Sequence, residues 1–125
     1  MGGKKKYAGE LRNTDVTIGG TSYRPPQFEM LPRLFDNMFS AIDLIDGALN
    51  KSASYLLAIS KNQFFIDGNK RTARLAAIHT ALHYGQKYLS FDIDNGEYLM
   101  GLKHFYETGD TSVFAQFYKN NLIKL

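Results

Sequence analysis

At 125 residues the chain is short enough to form one domain, and its 44% apolar residues, nine Phe and eight Tyr among them, suffice for a modest aromatic core. The absence of cysteine excludes a disulfide framework and any thiolate metal site, and agrees with a reducing compartment. The net charge of +3 is mild and owes much to Lys4-Lys5-Lys6, so nucleic acid is not an expected partner; with no bilayer-length apolar run and no signal-peptide pattern, no membrane is expected either, and the expected location is cytoplasmic.

Residues 1–8 read as an N-terminal tail and residues 9–125 as a single domain. Val16-Thr17-Ile18 alternates apolar and polar, Gly19-Gly20 can take the positive φ of a tight turn, and Thr21-Ser22-Tyr23 returns before Arg24-Pro25-Pro26 ends the run. This predicts a short β-hairpin, although an ordinary surface loop fits the same residues. From Met30, the spacing of Leu31, Leu34, Phe35, Met38, Phe39, Ile42 and Ile45 predicts an amphipathic core helix ending near Gly47, with Pro32 in its first turn. A second helix is predicted from Ser52 to about Lys61, with Tyr55, Leu56 and Ile59 inward.

A third helix, from about Asn69 to Tyr84, carries Leu75, Ala76, Ile78, Ala81 and Leu82, with many small residues that permit close packing, and Gly85 stops it. His79 and His83 lie four apart on it, a spacing that can grip a metal, but no third ligand is evident and structural histidines are expected. The run from Tyr88 to Ile93 alternates and reads as a short extended connection. Asn95 or Asp94 is placed to cap a fourth helix from Glu97 to Thr108, with Tyr98, Leu99, Leu102, Phe105 and Tyr106 on its apolar side. Gly109 breaks it, and Asp110 or Thr111 caps a last helix with Val113, Phe114, Phe117, Tyr118 and Leu122.

Between the second and third helices lies the chemistry. From Asp67 to Arg74 a carboxylate, the pair Gly68-Asn69, a lysine and two arginines immediately precede an apolar, alanine-rich helix. The first N–H groups of a helix have no internal partner and carry partial positive charge, so such a turn attracts an anion. Gly68 lets a phosphate approach the backbone, and Arg71 and Arg74, three apart, can share a face and clamp a polyphosphate. Asp67 suits Mg²⁺ held between carboxylate and phosphate oxygens. Residue types alone fit an ordinary capped helix equally well.

The stretch Phe65-Ile66-Asp67-Gly68-Asn69-Lys70-Arg71-Thr72-Ala73-Arg74 resembles the signature of the Fic/Doc (Fido) family: histidine, any residue, phenylalanine, any residue, aspartate or glutamate, glycine or alanine, asparagine, glycine or lysine, arginine, two residues, arginine. One position departs: the family's catalytic histidine falls on Gln63, and the proline that often follows it falls on Phe64. The resemblance covers about Gly9 to Leu122 and implies a mainly α fold, a compact Fic-like helical bundle with a short β-hairpin flap. It implies ATP and Mg²⁺ as cofactors, with Asp67 on the metal, Gly68 and Asn69 in the phosphate cradle, and Lys70, Arg71 and Arg74 toward the nucleotide. Val16, Thr17, Ile18, Gly19, Gly20 and Thr21 correspond to the flap, whose edge would take an extended segment of a target protein.

The activity implied is transfer of AMP from ATP to a hydroxyl of that target. Lys70, where glycine is usual in AMP transferases, is the residue of the Doc branch, which phosphorylates. Gln63 can orient a hydroxyl but cannot take its proton, so transfer is expected to be slow or absent while nucleotide binding persists, which leaves a Doc-like kinase and a binding pseudoenzyme as alternatives. Family members that restrain themselves carry serine or threonine four residues before a glutamate. None of Glu10, Glu29, Glu97 or Glu107 has this, so an inhibitor would be a separate antitoxin chain.

Overall fold

The computed structural model describes residues 10–85, 87–89 and 95–124. The tail expected over residues 1–8 lies outside them. After a 3-10 turn at Phe28–Met30 come α1 (Leu31–Asp43), α2 (Ala48–Asn62), α3 (Asn69–Gly85), β1 (Lys87–Leu89), α4 (Gly96–Thr108), α5 (Ser112–Asn120) and β2 (Leu122–Lys124). The fold is mainly helical, as the periodicity predicts. No described helix is long and apolar enough to cross a membrane.

The centre of the molecule is the antiparallel pair α2 and α3. α3 buries Ala73, Ala77 and Ala81 and packs Ile78 half-buried against the core, while its two leucines, Leu75 and Leu82, are 65% and 43% exposed. Small buried residues let the helices approach closely. At their far end a Cβ on Gly85 would sit 2.7 Å from the Ala48 Cβ, a distance no real pair adopts. Ser52 of α2 bridges inward, donating to the Ala77 carbonyl at 2.6 Å and hydrogen bonding to the hydroxyl of Tyr118 on α5. Burial pushes the Tyr118 phenol up to about 12, so it stays a neutral donor there.

α1 covers one side of α2 through Leu31, Met38 and Ile42. It ends at Asp43, earlier than the apolar spacing predicts: the chain tightens into three-residue bonds, Leu44 to Ala41 and Ile45 to Ile42, and Lys51 of α2 donates its ammonium to the carbonyls of Ile42 and Asp43. Gly47, expected near the end of α1, instead opens α2: its φ of 91° makes the corner and its carbonyl accepts the first helical hydrogen bond, from Lys51.

On the other side, α4 and α5 pack through Tyr98, Leu102, Phe114 and Phe117. A Cβ on Gly101 would lie 3.3 Å from the Phe114 Cα, so glycine sets this approach. Asn95 caps α4 by accepting from the N–H groups of Glu97 and Tyr98, and Gly109, at φ 76°, closes it. Asp110 caps α5, accepting from the backbone and hydroxyl of Ser112. That helix stops at Asn120, so Leu122, expected on it, instead starts β2. β2 pairs antiparallel with β1, Leu89 opposite Leu122 and Lys87 opposite Lys124. Only Tyr88 and Leu89 of the expected extended run are thereby placed; residues 90–94 lie outside the described residues.

The β-hairpin expected over Val16 to Tyr23 is not formed as a ladder. Gly20 turns with φ 81°, but the arms on either side of Gly19-Gly20 carry no strand pairing among the described residues. An isolated two-stranded hairpin is marginal in water, so pairing of these arms alone adds little. Side chains fix the segment instead. The Tyr23 ring stacks on Tyr106 of α4, centroids 5.3 Å apart and planes 12° from parallel, and its hydroxyl donates to the Lys61 carbonyl.

Candidate functional site

The loop from Gln63 to Gly68 joins the C-terminus of α2 to the N-terminus of α3 and is locked from inside. Gln63 sits in the left-handed region (φ 50°, ψ 56°) and ends α2, its N–H on the Ile59 carbonyl. Its carboxamide donates to the Ser60 carbonyl at 2.7 Å and accepts from the Asn69 amide at 3.2 Å. Asn69, only 8% exposed, also takes both backbone groups of Phe65, accepting its N–H at 3.0 Å and donating to its carbonyl at 2.8 Å. One buried side chain thus ties loop and helix start together. Phe64 is fully buried, edge-on to Phe35 at 5.2 Å, and pins the same loop to α1.

Arg12 locks the loop from outside. Only 2% exposed, it spreads its guanidinium over four carbonyls: Gln63 at 2.6 Å, Thr14 at 2.8 Å, Pro26 at 2.6 Å and Asn62 at 3.2 Å. Its own N–H donates to the Phe64 carbonyl at 2.8 Å. Burial draws its pKa down, and Asp15, whose carboxylate lies 3.9 Å away, opposes that. Both ends of the segment 14–26 are therefore fastened to the loop by one side chain. The signal was in the sequence, an arginine just ahead of the hairpin residues, but only coordinates show where its donors go.

Beside this loop opens a cleft of about 820 Å³. Its floor is Gln63, Ile66, Asp67, Gly68, Asn69, Lys70 and Arg71; one rim is Thr17, Ile18, Gly19, Gly20 and Thr21; the opposite wall is Leu99, Leu102, Lys103 and Tyr106 of α4. A Cβ added to Gly68, at φ 77°, would meet no protein atom within 4 Å, so the backbone there faces open space. The Thr72 N–H bonds to the Gly68 carbonyl, which leaves the N–H groups of Asn69, Lys70 and Arg71 as the turn without intrahelical acceptors.

Two of the residues singled out from sequence do not line the cleft: Val16, at the base of the rim, and Arg74. Three residues amount to about 60° around a helix rather than full eclipse. Arg71 consequently stands exposed at the cleft, while Arg74 is half-buried on the side facing Tyr98, where its charge favours the phenolate. Burial outweighs that influence and pushes the Tyr98 phenol up to about 12. Tyr106, whose ring forms part of the wall, is likewise raised by burial, with Tyr98 adding to the effect and Ser60 opposing it, so both phenols stay neutral. The α4 wall is what residue patterns missed: Leu99, Leu102 and Tyr106 carry core spacing, and nothing local says which of them faces a cavity.

These groups suit a phosphate chain: a helix start, a glycine backbone open to the space, and Lys70 and Arg71 exposed at its edge. The protein's own groups do not complete a metal site. Among the described residues no three His, Cys, Asp or Glu side chains cluster, so a cation at Asp67 requires ligand oxygens as well. His79 and His83 stack on the exposed side of α3, centroids 6.0 Å apart, without a third ligand among the described residues.

The geometry agrees with what the chain is similar to. A solved structure of BepC, a VirB-translocated Bartonella effector protein from Bartonella tribocorum with bound AMPPNP, superposes with a TM-score of 0.76 over 96% of this chain and 67% of that one, at 10% identity. Toxin Doc of Mycolicibacterium smegmatis is 32% identical over 105 residues, covering 78% of this chain and 69% of the relative. The ribonucleoside-diphosphate reductase small chain of Ostreid herpesvirus 1 is 35% identical over 91 residues, 68% of this chain but 15% of that protein's length. The model of the Fic/DOC family matches residues 2–81, a span that holds the rim, the locked loop and most of α3, and the chain belongs to that family.

Proposed function

We propose that the chain binds Mg-ATP in this cleft, with the phosphates on the N-terminal turn of α3, and that its transfer of AMP to a hydroxyl of a target protein is slow or absent because Gln63 stands where the family has its base. The observation that carries the reading is the open start of α3: helical N–H groups without intrahelical acceptors, Gly68 facing open space, and Lys70 and Arg71 at the edge of a cleft of about 820 Å³, within the range that holds a drug-sized ligand. Asp67, which lines the cleft, would share a Mg²⁺ with phosphate oxygens, and bound Mg-ATP would supply an electrophilic phosphorus with its charge partly neutralised. That BepC was solved with AMPPNP supports a nucleotide as the occupant.

The residues present orient rather than catalyse proton transfer. The Gln63 carboxamide spans the Ser60 carbonyl and the Asn69 amide, and an amide nitrogen has no basic lone pair near neutral pH. Loss of a general base costs roughly 10²- to 10⁴-fold in rate, whereas positioning by the helix start and the cations survives. The rim from Val16 to Thr21, whose backbone carries no strand pairing among the described residues, suits docking of an extended target segment. An inhibiting antitoxin would be a separate chain.

Transfer of the terminal phosphate is the second reading, favoured by Lys70 and by the identity to Toxin Doc. ATP labelled at the α or the γ phosphate separates the two, since each predicts a different label on the target. Calorimetry should show Mg-ATP binding to the protein, and a Gln63→His variant should label a target at least tenfold faster. Absence of nucleotide binding would refute the reading; equal rates for the two proteins would remove Gln63 as its limit.

A further inference from the structure

We infer that Lys103 of α4 is a third phosphate-directed cation of the cleft, and that it sets a preference for nucleoside triphosphates over monophosphates. The inference rests on the nucleotide-binding reading above and names a residue that the signature between Gln63 and Arg74 does not contain.

The α4 wall turns Leu99, Leu102, Lys103 and Tyr106 toward the cleft. Two of these are aliphatic, and burial keeps the Tyr106 phenol neutral, so Lys103 is the one charged side chain among the residues α4 contributes to the lining. The next acid along it, Glu107, already accepts from the Thr21 hydroxyl at 3.3 Å. Among the described residues no carboxylate lies within ion-pair distance of Lys70, Arg71 or Lys103. Three cations thus border one cleft whose lining holds a single carboxylate, Asp67.

Three cations against one carboxylate leave an excess of like charge, which a polyanion relieves. A monophosphate is already matched by the N-terminal turn of α3 with Lys70 and Arg71. A further cation, brought from a different helix, adds more attraction for a ligand whose charge extends past its first phosphate than for one that carries a single phosphate. Lysine suits that task, being a point charge on a long stem that follows a phosphate chain without demanding fork geometry.

The test is calorimetric titration of the full chain and its Lys103→Met, Lys103→Arg and Lys119→Met variants with Mg-ATP and with AMP. Lys119 is exposed on α5 outside the cleft and matches the charge change. Lys103→Met should weaken Mg-ATP roughly fivefold and AMP less than twofold, Lys103→Arg should restore most of the difference, and Lys119→Met should leave both affinities unchanged. Equal loss for both ligands, no loss for either, or the same loss from Lys119→Met overturns the inference while leaving nucleotide binding intact. A wild-type protein that binds no Mg-ATP overturns the nucleotide reading and this inference together.

Discussion

The floor of the cleft and its walls are held by different kinds of contact. The floor, from Gln63 to Asn69, is fastened by buried donors to backbone carbonyls, with the Arg12 guanidinium on one side and the Asn69 carboxamide on the other. The rim and the α4 wall meet through one ring stack, Tyr23 on Tyr106, and one exposed hydrogen bond, Thr21 to Glu107. Buried hydrogen bonds that leave an orphan when broken resist change far more than exposed ones. The difference implies a preformed floor beneath a rim that can adjust, and mutations can attack each half separately.

The largest effect is expected from Arg12→Met. It leaves the carbonyls of Gln63, Asn62, Thr14 and Pro26 without their donor, and unmet buried acceptors cost enough that a loss of about 3–4 kcal/mol in urea unfolding is expected. A loss below about 1 kcal/mol would mean that water replaces the guanidinium and that the floor is not preformed. Asn69→Ala comes next, at about 2 kcal/mol, because the Phe65 N–H and carbonyl both lose their partner. Its effect on Mg-ATP affinity, read by calorimetry, should exceed what the stability loss alone removes, since the turn it fastens is the proposed phosphate seat.

Much of this division was legible before any coordinates, and the exceptions share a cause. The helices followed from three-and-four spacing, and the motif loop from its turn residues and cations. Where α1 ends, an ammonium from the next helix meets its last carbonyls, a tertiary contact that no local pattern carries. Leu75 and Leu82 face outward on α3 because close approach to α2 is made by alanines, so side-chain size misjudges which face is buried. The segment from Val16 to Tyr23 has hairpin chemistry yet no ladder, since its support comes from Arg12 and α4 rather than from its own pairing. Arg71 and Arg74 separate for a reason of helix pitch, and the partner of Arg71 across the cleft, Lys103, comes from a helix whose pattern reads only as core.

The walls yield smaller numbers. A double-mutant cycle on Tyr23→Leu and Tyr106→Leu isolates the ring stack, and a coupling of about 1 kcal/mol is expected, the usual worth of an aromatic pair beyond its buried area. Because the segment is also held by Arg12 and by Thr21 on Glu107, both single variants should keep Mg-ATP affinity within about threefold while weakening any docked target segment more. Coupling near zero would show that the stack merely accompanies a rim fixed elsewhere, and the contrast between floor and wall would then rest on Arg12 alone.

The smallest effect concerns how α4 passes into α5. The Asp110 carboxyl is held down to about 2 by the Ser112 backbone N–H first, then by the His104 ring nitrogen at 3.0 Å and the Ser112 hydroxyl. An ordinary aspartate titrates near ~3.9, so the ionised form is favoured in the folded state and its stabilisation is complete above pH ~4. As pH falls from there toward about 2, folded and unfolded states come to bind the same proton and that contribution drains away. Asp110→Asn should therefore lower the thermal midpoint slightly at pH 7, with the gap to the wild-type protein closing on acidification below pH ~4. Because Asp110 is exposed and far from every group that fastens the floor, nucleotide affinity at pH 7 should not move. A gap that persisted at pH 2 would place the effect in helix packing rather than in the carboxylate, and would tie the α4 wall to α5 more firmly than its exposed cap suggests.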